Sequence, residues 1–180
     1  ADYHEKQIYH LRKAVDLSNA EHLIFISSTS YYPNINQVVT TETEHDVDKG
    51  STEAVVLAEE TIKQSGKNLL ILRCGGLLGV DRIPGKWFAG KETSGADTPV
   101  NYVHRDDAIQ VITHFMENGF KGHSIMNLVA DQHPTKKEVH ELMAEKYGFS
   151  KPSWKEPALL NSKIVKSDFP EFGLRSPLAF

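Results

Sequence analysis

Four consecutive apolar residues, Leu23 to Ile26, stop abruptly in a row of hydroxyls: Ser27, Ser28, Thr29 and Ser30, then Tyr31 and Tyr32. With no polar alternation, the run reads as a strand covered on both faces, as in a parallel sheet with helices above and below. A second run, Asn68 to Leu72, ends in Arg73, Cys74, Gly75 and Gly76, and a third, Ser124 to Val129, ends in Ala130 and Asp131. Three short apolar strands separated by helical patterns predict an open α/β sheet. In such sheets ligands sit outside the carboxyl ends of the strands, so the polar residues after each run share the edge where function is expected.

The segments between the runs support this plan. The chain enters a helical pattern almost at once, with Ile8, Leu11, Ala14 and Val15 on one face up to Asn19. A doubly wound domain should begin with a strand, so a further N-terminal part is expected before Ala1. From Thr29 to Gly50 the sequence is polar and irregular, with a short β stretch expected at Val38 to Thr41. A connection of that length is usually functional or mobile. A helix follows, capped by Ser51 or Thr52 and stopped by Gly66, with Ala54, Val55, Ala58 and Ile62 inward. Loop, helix and second run then form one right-handed crossover with its two strands parallel. Leu77 to Thr98, with four glycines, reads as an excursion off the sheet with one helical turn. A third helix is expected over Arg105 to Asn118, with Asp106 and Asp107 in its first turn, where the helix dipole favours them. A fourth opens with a capping box, Thr135 and Glu138, is expected to bury Val139, Leu142, Met143 and Tyr147, and stops at Gly148. The tail from Lys151 to Phe180 holds four prolines and reads as a small, loop-rich appendage.

Charge and composition narrow the partners. Twenty Lys plus Arg against 24 Asp plus Glu leave a net charge of −4 with no basic block, which argues against nucleic acid. No apolar run approaches the roughly 20 residues of a membrane helix, and the first residues are too polar for a signal peptide. The single cysteine, Cys74, has no internal partner, which fits a reducing compartment, and the cytoplasm is the expected location. At the end of a buried strand it reads as a small core residue rather than a nucleophile. The nine histidines lack the spacing of a metal site, His133 and His140 lying seven apart, and no metal is expected. His104-Arg105-Asp106 spells a kinase catalytic triplet, but Val111 stands where its Asn is required, so a helix-capping role for Asp106 or Asp107 is the better reading.

The ordered pieces FISSTSYY, AEE, LRCGGLLG, NYVHRDDAIQVI and IMNLVADQHPTKKEVHELM together resemble the extended short-chain dehydrogenase/reductases, and within them an atypical branch of the NAD-dependent epimerase/dehydratases. The resemblance covers about residues 1–150. It implies an α/β fold, the C-terminal part of a Rossmann-type doubly wound parallel sheet (strands five to seven), with NAD or NADP bound by the full-length protein. Residues 1–76 and 100–150 would form the partial dinucleotide-binding domain, and residues 77–99 and 151–180 a small substrate-side region. Ser28, with Thr29 beside it, matches the strand-end hydroxyl that polarises the reacting substrate oxygen. Ser27 and the stretch Arg73, Cys74, Gly75 and Gly76 match positions beside the cofactor, where small residues allow close approach of backbone to ligand. The bland alternatives are hydroxyls that merely satisfy loose backbone groups and a turn that simply needs glycine. The family's catalytic Tyr and Lys fall at Ser51 and Val55, and neither can do that acid–base work.

Two function classes remain open on the sequence. One is an oxidoreductase, epimerase or dehydratase acting on a nucleotide sugar or related alcohol, with Glu42, Glu44 or His45 as a displaced acid or base. The other is a non-catalytic dinucleotide-binding or scaffold protein of the same fold. In either case the strand Leu23 to Ser28 carries none of the defences of an edge strand. It should therefore pair on its outer side with a preceding part of the protein or with another chain, a homodimer included.

Overall fold

The computed structural model describes residues 2–179. Helix α1 (Asp2–Leu17) leads into β1 (His22–Ser28), whose end tightens into a 3₁₀ turn over Thr29–Tyr31. The long connection carries β2 (Val38–Val39) and a second 3₁₀ turn, Val47–Lys49, before α2 (Glu53–Ile62) and β3 (Asn68–Cys74). Beyond β3 lie β4 (Gly76–Leu78), α3 (Pro84–Trp87), β5 (Glu92–Ser94), β6 (Tyr102–His104) and α4 (Arg105–Asn118). Next come β7 (His123–Leu128) and α5 (Lys136–Tyr147), and the tail contributes β8 (Ser153–Lys155) and β9 (Ile164–Val165).

The central sheet is parallel in the order β1-β3-β7, with Ile24 beside Leu70, Ser28 beside Cys74 and Cys74 beside Leu128. All three strand ends therefore finish at one edge. Alternation along β3 divides the core: Leu69 and Ile71 meet Ile8 of α1 and Ala58 and Ile62 of α2, while Leu70 and Leu72 meet Ala108 and Val111 of α4 and Phe169. This is the three-layer arrangement expected of continuous apolar strands.

Only β3 is covered on both faces throughout. Strand β1 pairs with β3 alone among the described residues, and Ile26 is 46% exposed. The expectation that the first run is buried on both faces is thus met only in part. The reason is that α4 covers β3 and β7 and leaves a groove of about 540 Å³ between itself and β1, lined by His22, Ile24, Ile26, Phe115, Met116 and Phe120.

Smaller parallel pairs tie the excursions down: β4 to β6, β5 to β8, and β2 to β9. The β5–β8 pair joins the 77–99 excursion to the tail, and β2–β9 joins the long connection to the tail. Helix α4 is capped by the His104 imidazole, which accepts from the Asp106 amide, rather than by Asp106 or Asp107. Helix α5 keeps its expected capping box, but the face it buries is Val139, His140, Met143 and Ala144, leaving Leu142 and Tyr147 over 40% exposed. The rotation follows from α3: a Cβ on Gly85 would stand 2.3 Å from the Ala144 nitrogen, so the two backbones nearly touch there. Beside that contact, His140 Nδ1 meets the Pro84 carbonyl.

Candidate functional site at the strand ends

The hydroxyl row after β1 divides between two tasks. Ser27 Oγ donates to Glu59 Oε1 at 2.5 Å. Ser28 turns its Oγ to cap the following turn, accepting from the Ser30 amide at 3.1 Å and from Ser30 Oγ at 3.0 Å. Thr29 is buried and its carbonyl closes the turn by accepting from the Tyr32 amide. Ser27 and Ser28 also line a cleft of about 350 Å³ with His4, Ile8, Phe25, Ile26, Val55 and Ala58. The strand-end serines and Val55 are therefore brought to one cleft, although 27 positions separate Ser28 from Val55 in sequence.

Ser51 is elsewhere. It is buried, and its Oγ accepts from the Asp46 amide at 2.9 Å, holding the loop that feeds α2. Its hydroxyl thus has a structural task in those contacts.

Beneath the cleft lies a buried polar network that joins all three strands. Arg73 Nη2 donates to Glu59 Oε2 at 2.7 Å and Nε to Glu59 Oε1 at 3.0 Å, a forked pair with both side chains almost fully buried. Arg73 Nη1 donates to the Tyr32 hydroxyl at 2.8 Å, which donates in turn to Asn127 Oδ1 at 2.6 Å on β7. The guanidinium also stacks 3.4 Å from the centre of the Tyr31 ring. Charge and forked geometry make such a pair strong once its donors are satisfied. Burial pushes the Tyr32 phenol above its usual pKa, against the opposing pull of Arg73, so it stays a neutral relay.

The stretch from Arg73 to Gly76 is accordingly divided in its duties. The Arg73 side chain is committed to Glu59 and Tyr32. Cys74 is buried in the core, and burial pushes its thiol up to about 12, far from a thiolate at neutral pH. A Cβ on Gly75 would stand 2.5 Å from the Asn101 carbonyl oxygen, and one on Gly76 would stand 2.6 Å from the Tyr102 ring. The crossing of residues 101–102 is therefore sufficient reason for both glycines.

Among the displaced acid–base candidates, the structure gives His45 a chemical partner: its Nδ1 lies 3.2 Å from the Tyr31 hydroxyl, just past the end of β1. Glu42 and Glu44 are exposed. Among the described residues no group of three or more His, Cys, Asp or Glu could hold a metal ion, and no helix is long and apolar enough to cross a membrane.

Several functional-looking residues escaped the sequence. Glu59 sits in an ordinary helical AEE, and only its place on the buried face of α2, one turn beyond Val55, signals a core carboxylate. Asn127 interrupts the third apolar run, which was a readable sign of a buried polar contact. Lys163, which donates to the Tyr32 carbonyl from the tail, left no local signal at all.

No family model matches the chain. Protein YeeZ of Escherichia coli K12 is 33% identical over 134 residues, 74% of this chain and 48% of that protein. The chain thus spans about half the length of the curated relative it matches. Among solved structures, MoeE5 in complex with UDP-glucose and NAD superposes with a TM-score of 0.76 at 13% identity, covering 94% of this chain and 64% of that one. The human epimerase family protein SDR39U1 with NADPH superposes with a TM-score of 0.71 at 18% identity, covering 94% of this chain and 69% of that one. The likeness, together with the parallel sheet and its shared strand-end edge, gives the chain the Rossmann-type α/β fold of these structures, over about two thirds of their length.

Proposed function

We propose that this chain forms the strand-end side of an NAD(P)-binding protein related to the nucleotide-sugar epimerases and dehydratases, with its acid–base chemistry displaced from the usual helix. The observation that carries the proposal is the cleft where Ser27 and Ser28 meet Val55, at the strand edge of a fold whose matched structures hold NAD or NADPH. Under this reading Ser28, with Thr29, lies beside the reacting alcohol or keto oxygen. Ser27 and the backbone of Arg73 to Gly76 border the nicotinamide. Residues 77–99 and 151–180 face the substrate, a nucleotide sugar or related alcohol. The dinucleotide would supply hydride transfer, and this chain's residues would orient the substrate oxygen and handle its proton. The Tyr31–His45 pair, just past the end of β1, would exchange that proton, since a neutral imidazole can accept from the phenol.

The second reading, a dinucleotide-binding protein without catalysis, is favoured by the structural task of Ser51 and the apolar side chain at Val55. One experiment addresses both. Calorimetry on the whole protein with NAD and NADP should show binding of one of them. Turnover with UDP-glucose should then be measured for the parent and for His45→Ala and Tyr31→Phe. Turnover that falls with both substitutions supports displaced chemistry, and binding without turnover supports the second reading. Absence of binding at millimolar dinucleotide overturns the proposal.

A further inference from the structure

A lysine that the dinucleotide reading does not use stands at the same sheet edge, brought there by the tail. Lys163 is 9% exposed, and its Nζ donates to the Tyr32 carbonyl at 2.5 Å, 131 residues away in sequence. Its own carbonyl accepts from Asn101 Nδ2, and the Asn101 carbonyl accepts from the Gly76 amide just past β3. The residue is therefore held at both ends, its Nζ on the chain just past β1 and its backbone carbonyl on the segment that crosses the end of β3. Among the described residues no carboxylate lies within ion-pairing distance of it, although 11 ion pairs involve other side chains. An ammonium group carries three donors, and among the described residues the only acceptor for this one is the Tyr32 carbonyl. A buried cation with spare donors and no counter-ion is costly unless something else satisfies it.

Beside Lys163 is a cavity of about 220 Å³ lined by Asn36, Pro99, Leu159, Ser162, Lys163 and Ile164. Its lip is fixed rather than loose. Asn36 adopts a left-handed backbone, φ 55°, and its side chain accepts from the Ser162 amide at 2.8 Å while donating to Asn161 Oδ1. The Asn36 amide donates to the Ser162 carbonyl, which closes the ring of contacts between the long connection and the tail. A space of this size corresponds to roughly seven water volumes, too small for a dinucleotide and suited to a compact ligand.

We propose that this cavity binds a small ligand through a carboxylate or phosphate oxyanion, which takes the spare hydrogens of Lys163 Nζ and supplies the missing counter-charge. The apolar walls, Pro99, Leu159 and Ile164, would accept the remainder of the ligand. Burial alone pulls the Lys163 pKa down to about 8, so the group still carries most of its charge at neutral pH, and a bound oxyanion would hold it charged.

The site makes no use of a dinucleotide, so its test contains none and can fail or succeed independently of the proposed function. Inorganic phosphate and malonate would be titrated separately into the protein, following the backbone amide resonances of Asn36, Ser162 and Ile164. Saturable shifts at these positions with either probe are expected, and the probe that saturates first identifies the oxyanion class. Lys163→Met should weaken that binding by at least about tenfold, the scale of one charge-assisted hydrogen bond. Because loss of Lys163 could also disturb folding, Leu159→Trp provides a second variant, keeping the amine and filling the cavity from its exposed lip. It too should abolish the shifts. No saturable shift with either probe, or equal shifts in both variants, overturns the proposal.

Discussion

Breaking the Glu59–Arg73 pair is expected to cost more than any other single substitution at the strand ends, and the structure sets the scale. Both side chains are at most 1% exposed and are joined by a fork. Replacing Arg73 by Met leaves the Glu59 carboxylate with Ser27 Oγ as its remaining side-chain donor, at 2.5 Å. Replacing Glu59 by Leu leaves a guanidinium against Tyr31 and Tyr32 with only the Tyr32 oxygen to meet it. Each change strands a buried charge, for which about 3 to 5 kcal/mol is typical. A domain holds only about 5 to 15 kcal/mol in total, so either single variant should be close to unfolding. The double variant Glu59→Leu/Arg73→Met leaves no stranded charge and fills similar volume with apolar atoms. Its remaining deficit is the Ser27 hydroxyl, because Tyr32 keeps Asn127 as acceptor. An unpaired hydroxyl costs about 1 to 3 kcal/mol when fully buried and less at the part-buried Ser27, so the double variant should be more stable than either single one. Urea unfolding of the four proteins, followed by circular dichroism, closes the cycle. Additive losses, or single losses below about 1 kcal/mol, would show that water screens the charges despite their burial.

Gly85→Ala should destabilise by more than about 1 kcal/mol, because the added Cβ meets α5 backbone 2.3 Å away; an unchanged melting temperature would show that α3 shifts freely. His140 is kept neutral by burial, its pKa down at about 4 against 6.5 unfolded, with Nδ1 donating to the Pro84 carbonyl and Nε2 facing the Tyr102 hydroxyl. The unfolded chain binds the extra proton first, so stability should be full above pH 6.5, fall as pH drops towards 4 and then level off, and chemical unfolding of His140→Gln should lack that component. In the isolated 180-residue chain, amides of β1 that point away from β3 should exchange with solvent rapidly at low concentration while their β3-facing neighbours are protected, and protection that rises with concentration would indicate association along that edge. Uniform protection in a dilute monomer would refute the open edge.

The residues that were legible are those whose neighbours lie close in sequence or whose burial is complete. The unbroken Leu69 to Leu72 announces a strand covered on both faces, and the capping box of Thr135 and Glu138 fixes the start of α5 through contacts three residues apart. Legibility fails where a distant backbone decides. Helix α5 has apolar residues at both Leu142 and Met143, and its own periodicity cannot choose between the faces. Gly85, more than 50 residues upstream, chooses by letting α3 approach Met143 and Ala144. Leu23 to Ile26 has the same apolar character as the β3 run, yet half of its cover depends on what lies beyond its outer edge, and apolar composition does not encode which neighbour is present. The site divides in the same way. The hydroxyls after β1 and the small residues after β3 mark the edge because strand ends and turns are local events. The partners of Arg73 come from a helix, a turn and, through Tyr32, a third strand, and a buried Arg is indistinguishable in sequence from a ligand-facing one. Lys163 is the extreme case: its pKa is lowered by burial, and the hydrogen bonds that place it reach residues 32 and 101, each more than 60 positions away. A polar residue's chemistry at this edge is thus set by whether the fold gives it a protein partner. By that criterion the Arg73 side chain serves the scaffold, and Lys163, with donors left over beside a cavity, is the residue proposed to face a ligand.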